Sequence, residues 1–383
     1  MMKTISIFSG IDILGLAFAK YFEMVLAVEK EESAVHNLKL NKERFHPDLT
    51  IWHRDIFTIK DEEIAQWKGV QGLIGGPPCQ AFSPAQHGFD KSDKRIAGLD
   101  EYLRWVRGIE PEFFVFENTF GLDQGEKKKY FRQFKEDARK LGYKIKDKRL
   151  IAHDYGNVQT RERIILVGVR ESANWDFSFP KPVPESKKKY VRDILRDEPL
   201  GECTFYSEKQ MKVVPHVPEG GYWKNLPTED LKKLALQGNY ENRNGGITGA
   251  YRRLHRNSPC PTLTTQPKQR NTMAIHPIED RPLSIAEYKR AMGIPDEYQL
   301  EGKIEDKYKA IGNAVPYELG LAISNAIVES QKQNVSVVAQ ATQEENEWKQ
   351  PNFLPENDDE FKQLDLFSIE PQEEGKCIQL KLF

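Results

Sequence analysis

The chain has 383 residues, 39% apolar and 30% charged, with a formal net charge of −2 and four dispersed cysteines, Cys79, Cys203, Cys260 and Cys377. That length allows one large domain or two ordinary ones, and the composition fits a globular protein with a solvated portion. The absence of a CxxC pair or a histidine cluster beside the cysteines argues against a disulfide framework or a metal site, and no uncharged apolar run reaches the roughly 18 residues of a membrane span.

The apolar opening, Thr4 to Ala19, is interrupted by Asp12 and lacks a small-residue cleavage pattern, so it reads as strand, turn and helix rather than a signal peptide. A cytoplasmic location is expected. Strands are predicted at Lys3–Ser9, Met24–Glu29, Val70–Gly75, Glu112–Phe116, Tyr143–Ala152 and Arg163–Val169. Between them, helical periodicity covers Glu31–Asn41, Gly98–Gly108 and Lys128–Leu141. Strands alternating with helices predict an α/β fold built on a doubly wound, largely parallel sheet. Ligands on such sheets bind beyond the carboxyl ends of the strands, which is where Ser9, Gly10, Glu29, Cys79 and Glu117 all fall. From Trp175 to about residue 250 the chain is rich in Pro, Gly, Lys and Tyr, with weak periodicity, and predicts a smaller irregular domain. A helix is predicted again over Glu318–Ser330. Beyond Gln331 the chain is too polar to bury a core of its own.

Net charge averages over a strong asymmetry. Residues 331–383 hold 5 basic and 11 acidic side chains, which leaves the body of the chain at +4. Residues 119–170 carry 14 basic against 7 acidic side chains, and residues 180–275 carry 17 against 10. Two such regions are the footprint of a phosphate-contacting surface, although solvated helix faces such as Lys127–Lys129 produce the same counts.

The stretch "GGPPCQAFSP" (75–84) sets a thiol on a stiff corner, because Pro77 and Pro78 fix the backbone just ahead of Cys79. A structural cysteine sits in an apolar strand or helix; this one is aimed out of the end of a strand. "FSGIDILGLAF" (8–18), "PPCQAFS" (77–83), "FENTFGL" (116–122), "QTRER" (159–163) and "IGNAVP" (311–316) resemble, in order, the motif series of the C5-cytosine DNA methyltransferases. "AVEKEESAVHNLKLN" (27–41), "RDI" (54–56), "RRLHRNSPCPTLTT" (252–265) and "HPIEDRPLSIAEYKRAMGIPDEY" (276–298) extend the resemblance over residues 3–330, apart from the variable middle.

The resemblance implies a Rossmann-like, S-adenosyl-L-methionine-dependent methyltransferase acting on duplex DNA. Carbon 5 of cytosine is a poor nucleophile, and attack on carbon 6 by a thiolate activates it, a role that falls to Cys79. Glu117, partly desolvated, is expected to serve ring nitrogen N3 with a carboxyl raised toward a useful acid. Arg161 and Arg163, two apart, are expected on one sheet face, with Arg163 on the base oxygen and Arg161 supporting the loop and a phosphate. Gln80 and Ser83 would touch DNA beside a flipped-out base. Donor contacts carry over to Phe8, Ser9, Gly10, Ile11, Asp12, Glu29 (ribose), Asp55, Ile56, Pro78, Asn313 and Val315. Asp12 and Ile13 replace the glycine pair usual after "FSGI", which predicts a less close backbone approach to the donor. Thr119 stands where valine is commoner.

By the same resemblance, residues 1–174 form the catalytic and cofactor-binding domain and 175–255 the target recognition domain. Residues 256–330 return to the catalytic domain, and 331–383 form an acidic tail. Gly245, Gly246 and Gly249 would allow close approach to DNA, with Arg252, Arg253 and Arg256 offering phosphate or guanine contacts. In the tail, "QLDLF" (363–367) and "QLKLF" (379–383) repeat a pattern that resembles peptides docking on the DNA polymerase sliding clamp. Gln363, Leu364, Leu366, Phe367, Gln379, Leu380, Leu382 and Phe383 would be the anchors; the alternative is that they fold back on the domain. A cognate restriction endonuclease is a further expected partner. Two rival functions stay open at this point: an RNA cytosine methyltransferase of the same fold, and a DNA-binding or clamp-associated protein whose altered turn no longer holds the donor.

Overall fold

The computed structural model describes residues 1–78, 97–236 and 249–348, with 334–348 as backbone alone. Two units separate, Met1–Val335 and Ser336–Phe383. In the first, chain order runs β1 (Lys3–Ile7), α1 (Ile13–Phe18), β2 (Glu23–Glu29), α2 (Glu32–Phe45), β3 (Thr50–His53), α3 (Asp61–Ala65), β4 (Gly72–Gly75), α4 (Ala97–Ile109), β5 (Phe113–Thr119), α5 (Lys128–Lys140), β6 (Tyr143–Ile151) and β7 (Glu162–Arg170). There follow α6 (Glu208–Met211), α7 (Glu229–Leu236), β8 (Arg252–Arg253), β9 (Ala274–Ile275), α8 (Ile285–Ala291), α9 (Ile304–Asn313) and α10 (Tyr317–Trp348). Within the second unit, the described residues belong to the end of α10.

Seven strands form one sheet in the order β3-β2-β1-β4-β5-β7-β6. All neighbours are parallel except β7, which runs against both β5 and β6. The period of two along β5 assigns its residues to opposite faces. Phe114 and Phe116 join the core under α3, α4 and α5, with Ile64, Trp105, Phe131 and Phe134. Phe113 and Val115 face the other way, toward Leu14 and Phe18 of α1, Leu38 of α2 and Leu319, Ile323 and Ile327 of α10. Both faces being covered over β4, β5 and β7 explains why those strands read as nearly continuous apolar runs, whereas β6 alternates. Tyr102 of α4 is buried whole because its hydroxyl donates to the Val115 carbonyl at 2.7 Å.

Two smaller cores lie beside the sheet. One joins Ile11 and Ile13 to α8 and α9 and to Val158, Cys260 and Leu263. The other, built from Tyr206, Val213, Val214, Val217, Trp223, Leu226, Tyr251, Met273 and Ile275, gives the irregular middle of the chain its own apolar centre. Between Trp175 and Tyr206 the only regular pieces are short 3-10 turns, in keeping with the weak periodicity there. The structure differs from the sequence expectation in having β3, and in extending α2 to Phe45 and α10 well beyond Ser330. No helix among the described residues is long and apolar enough to cross a membrane.

Candidate active site

The carboxyl ends of β1, β2, β3, β4 and β5 lie side by side, and the sequence motifs converge there. β4 ends at Gly75, and Gly76, Pro77 and Pro78 lead the chain out over β5. Cys79, Gln80 and Ser83 follow immediately but lie outside the described residues. Below that exit sits Glu117. A Cβ on Gly76 would come within 2.5 Å of Glu117 Oε2, so only glycine lets the chain pass over this carboxylate. Thr119 pairs with Arg163 and Glu117 with Ile165, which sets Glu117 and Arg163 diagonally on one face of the β5–β7 ladder. There Arg163 Nε donates to Glu117 Oε1 at 2.6 Å, with both side chains nearly buried. Asn118, on the opposite face, donates from Nδ2 to the Pro77 carbonyl at 3.2 Å and accepts the Thr119 amide on Oδ1. The "EN" pair thus does two jobs. One residue presents a carboxylate, and the next holds the proline corner that precedes the thiol.

Arg161 corrects an expectation. It precedes β7 rather than sharing a sheet face with Arg163, and it is buried. Its guanidinium donates to the carbonyls of Leu263 (2.9 Å) and Gly312 (2.6 Å). That fits the expected loop support, joining "TLTT" to "IGNAVP", and leaves no surface on which to meet a phosphate. Gln159, which the sequence did not single out, completes the joint: Nε2 donates to the Ala291 carbonyl and Oε1 accepts the Leu263 amide. Its only sequence signal is its place at the head of "QTRER".

At the other end of the crevice, the turn after β1 alternates in and out of the left-handed region, with φ of 53° at Phe8, 57° at Gly10 and 51° at Asp12. Ser9 donates its amide to the Val28 carbonyl, and Gly10 donates to Glu29 Oε2 at 2.7 Å. Glu29 Oε1 accepts the amides of Lys30 and Glu31, so its carboxylate is fixed at the tip of β2. After β3, Asp55 Oδ1 accepts the Phe57 amide at 3.1 Å, Ile56 is buried, and the Phe57 ring stands half-exposed beside them. Space is open where a Cβ on Gly10 would stand. A turn open at Gly10, flanked by carboxylates at two adjacent strand ends, fits a ligand with ribose hydroxyls. Pro78 and Asn313 are exposed, whereas Val315 belongs to the core with Leu319.

Asp12 has kept the left-handed backbone that glycine would favour and turned its side chain inward. The carboxyl is 1% exposed, and it accepts the Ser6 hydroxyl at 2.6 Å and the Gly15 amide at 3.2 Å on Oδ1.

Of the three arginines expected on DNA, Arg253 is a second correction. It is buried, and its guanidinium donates to the carbonyls of Val217, Val214, His276 and Glu279 and pairs with Asp280. It braces the small lobe and cannot reach DNA. Arg256 is half-exposed and chelates the Glu219 carboxylate at 3.0 and 3.2 Å, which holds that carboxyl below its ordinary range. Arg252 lies half-buried in β8. Gly249 is needed for packing, since a Cβ there would meet the Asn271 carbonyl at 2.5 Å; Gly245 and Gly246 lie outside the described residues. Among the described residues, no group of three His, Cys, Asp or Glu side chains could hold a metal ion.

Comparison with known proteins agrees with this geometry. A family model described as C-5 cytosine-specific DNA methylase matches residues 2–329. The type II methyltransferase M.PspPI of a Psychrobacter species is 34% identical over 85% of this chain and 78% of its own length. M.Eco47II of Escherichia coli is 32% identical over the same shares. Among solved structures, a DNA modification methyltransferase encoded within an E. coli prophage superposes with a TM-score of 0.64 at 23% identity, covering 87% of this chain and 100% of its own. The Dnmt2 methyltransferase of S. pombe gives 0.58 at 17% identity, covering 86% of this chain and 99% of its own. Those two likenesses show the fold. The sequence matches show more, and on them the chain belongs to the C-5 cytosine-specific DNA methylases and is a DNA cytosine-5 methyltransferase.

Proposed function

We propose that the enzyme methylates carbon 5 of a cytosine extruded from duplex DNA, through a transient bond between Cys79 Sγ and carbon 6. The observation that carries this is the Glu117–Arg163 pair at 2.6 Å, set directly under the Gly76–Pro78 exit whose next residue is Cys79. In this reading the Cys79 thiolate adds to carbon 6 and its electron pair raises the electron density at carbon 5. Glu117 serves N3 with a hydrogen bond or proton, and Arg163 orients that carboxylate and meets the base oxygen. Asn118 fixes Pro77 and so the direction in which the corner delivers the thiol. Once carbon 5 is methylated, its proton leaves to a base, the carbon–sulfur bond breaks, and Cys79 is regenerated. Extruding the base costs about a few kcal/mol of stacking and pairing.

S-adenosyl-L-methionine supplies an electrophilic methyl group when bound. Phe8 to Ile11, Glu29, Asp55, Ile56, Pro78, Asn313 and Val315 would hold it, with Glu29 on the ribose and Asp55 and Ile56 on the adenine. The small lobe built around Trp223, Tyr251 and Ile275 would read the target sequence, with Gln80, Ser83, Arg252 and Arg256 on the DNA. The test is Cys79→Ser with radiolabelled donor and a duplex library. Methyl transfer should fall below detection while DNA binding persists; near-normal turnover would refute the mechanism.

Two partners belong to the same reading. The relatives are type II methyltransferases by name, which supports a cognate restriction endonuclease. The "QLDLF" and "QLKLF" repeats support docking of the tail on a sliding clamp. Deleting residues 360–383 should abolish clamp binding, and unchanged binding would end that idea.

A further inference from the structure

The buried carboxylate of Asp12 has no role in the reaction described above, and it lies beneath the turn expected to hold the donor. Its Oδ2 is sealed from solvent and accepts no hydrogen bond. Gly15 makes the room, since a Cβ there would stand 2.1 Å from that oxygen. Among the described residues no lysine, arginine or histidine pairs with it. The groups that face it are the Ser6 hydroxyl on β1, the Gly15 amide on α1, the Glu29 carboxylate at the end of β2, and the Tyr298 phenol beyond α8. The Tyr298 hydroxyl donates to the Ile11 carbonyl at 2.7 Å. A buried anion without a countercharge is costly. Burial accordingly pushes the Asp12 carboxyl up to about 6, with the Ser6 and Gly15 hydrogen bonds opposing the rise and Glu29 reinforcing it.

Resting on the donor assigned above, we propose that Asp12 is a specificity-determining residue that favours the cationic methyl donor over its neutral product through the field of its unpaired carboxylate. The charge difference is made by the transfer itself. The sulfur–methyl bond breaks, its electron pair stays on sulfur, and a sulfonium cation becomes an uncharged thioether. Ionised Asp12, part of the turn that the donor occupies, lowers the energy of the first state and not of the second. The same coupling makes donor binding expel the Asp12 proton, so affinity for the donor rises as the pH passes through the Asp12 titration.

Titration calorimetry of the full-length protein with S-adenosylmethionine and S-adenosylhomocysteine, between pH 5.5 and 7.5 in two buffers of different ionisation enthalpy, tests this. Wild type should release up to about half a proton on binding the donor near pH 6, tighten its grip on the donor up to about fourfold across the range, and change little toward the product. Asp12→Asn keeps the shape and both hydrogen-bonding partners. It should abolish that release and cut the donor-over-product ratio about three- to tenfold. Ser6→Ala, which removes a hydrogen bond from Oδ1, should move the release to higher pH. An Asp12→Asn protein with wild-type ratio and proton release overturns the inference. Absence of saturable heat with either compound, in wild type, refutes the donor assignment and the inference with it.

Discussion

Arg163 and Arg253 are both nearly buried and both fall in basic motifs, but they sit in regions that use an arginine differently. At the sheet edge, Arg163 meets another side chain, the Glu117 carboxylate, beneath a loop that only glycine can carry over it. In the small lobe, Arg253 is spent on four main-chain carbonyls and Asp280, and serves as the lobe's internal brace. Charge alone does not distinguish the two. The partner does: a side-chain carboxylate at a strand end is available chemistry, whereas carbonyls drawn from several loops are architecture.

Substitutions separate the two regions, and the largest effect belongs at the sheet edge. Glu117→Gln or Arg163→Ala should lower turnover about 10²- to 10⁴-fold, the usual worth of a positioned acid–base group, in single-turnover assays. For Glu117→Gln the urea midpoint should barely move. Arg253→Met should do the reverse in kind, costing about 3–5 kcal/mol of stability by leaving Asp280 and four carbonyls unmatched, read as a lower urea midpoint. If Arg253→Met unfolds like wild type but loses DNA, the contrast fails.

Asp12 gives a smaller, pH-dependent effect. Its carboxyl is raised from 3.8 to about 6 in the fold, so the neutral form is favoured there. Stability held below pH 3.8 is lost as the pH climbs to about 6, by about 3 kcal/mol when complete. Asp12→Asn should remove that slope and unfold at a higher urea concentration than wild type at pH 7. The smallest effect is at Arg256. Its exposed ion pair with Glu219 is screened by solvent, so Arg256→Ala should leave stability nearly unchanged. It should weaken DNA binding and reduce the salt dependence of the affinity by about one phosphate contact.

The sheet was legible because its central strands are buried on both faces and flanked by amphipathic helices. The edge strand β3 was not, since "TIWH" is short and carries neither alternation nor an apolar run. Glu117 and Arg163 could be read from motif order, and their contact follows from β-ladder register. Burial of Arg161 and Arg253 could not, because their partners are carbonyls more than twenty residues away that no side-chain pattern reveals. The inward turn of the Asp12 side chain has a local cause that the motif does not display. Gly15, three residues on, provides the room into which the Asp12 carboxyl turns.

The central claim is that the corner after Pro78 delivers a nucleophile to a cytosine ring over Glu117. Incubating the protein with a cognate duplex containing 5-fluorocytosine and S-adenosylmethionine, then mapping the product by mass spectrometry, tests it most directly. Fluorine blocks the final loss from carbon 5, so a stable DNA adduct on the Cys79 peptide is the predicted result. Methylation of ordinary cytosine in the same duplex, with no adduct at Cys79 in the fluorinated one, would contradict it.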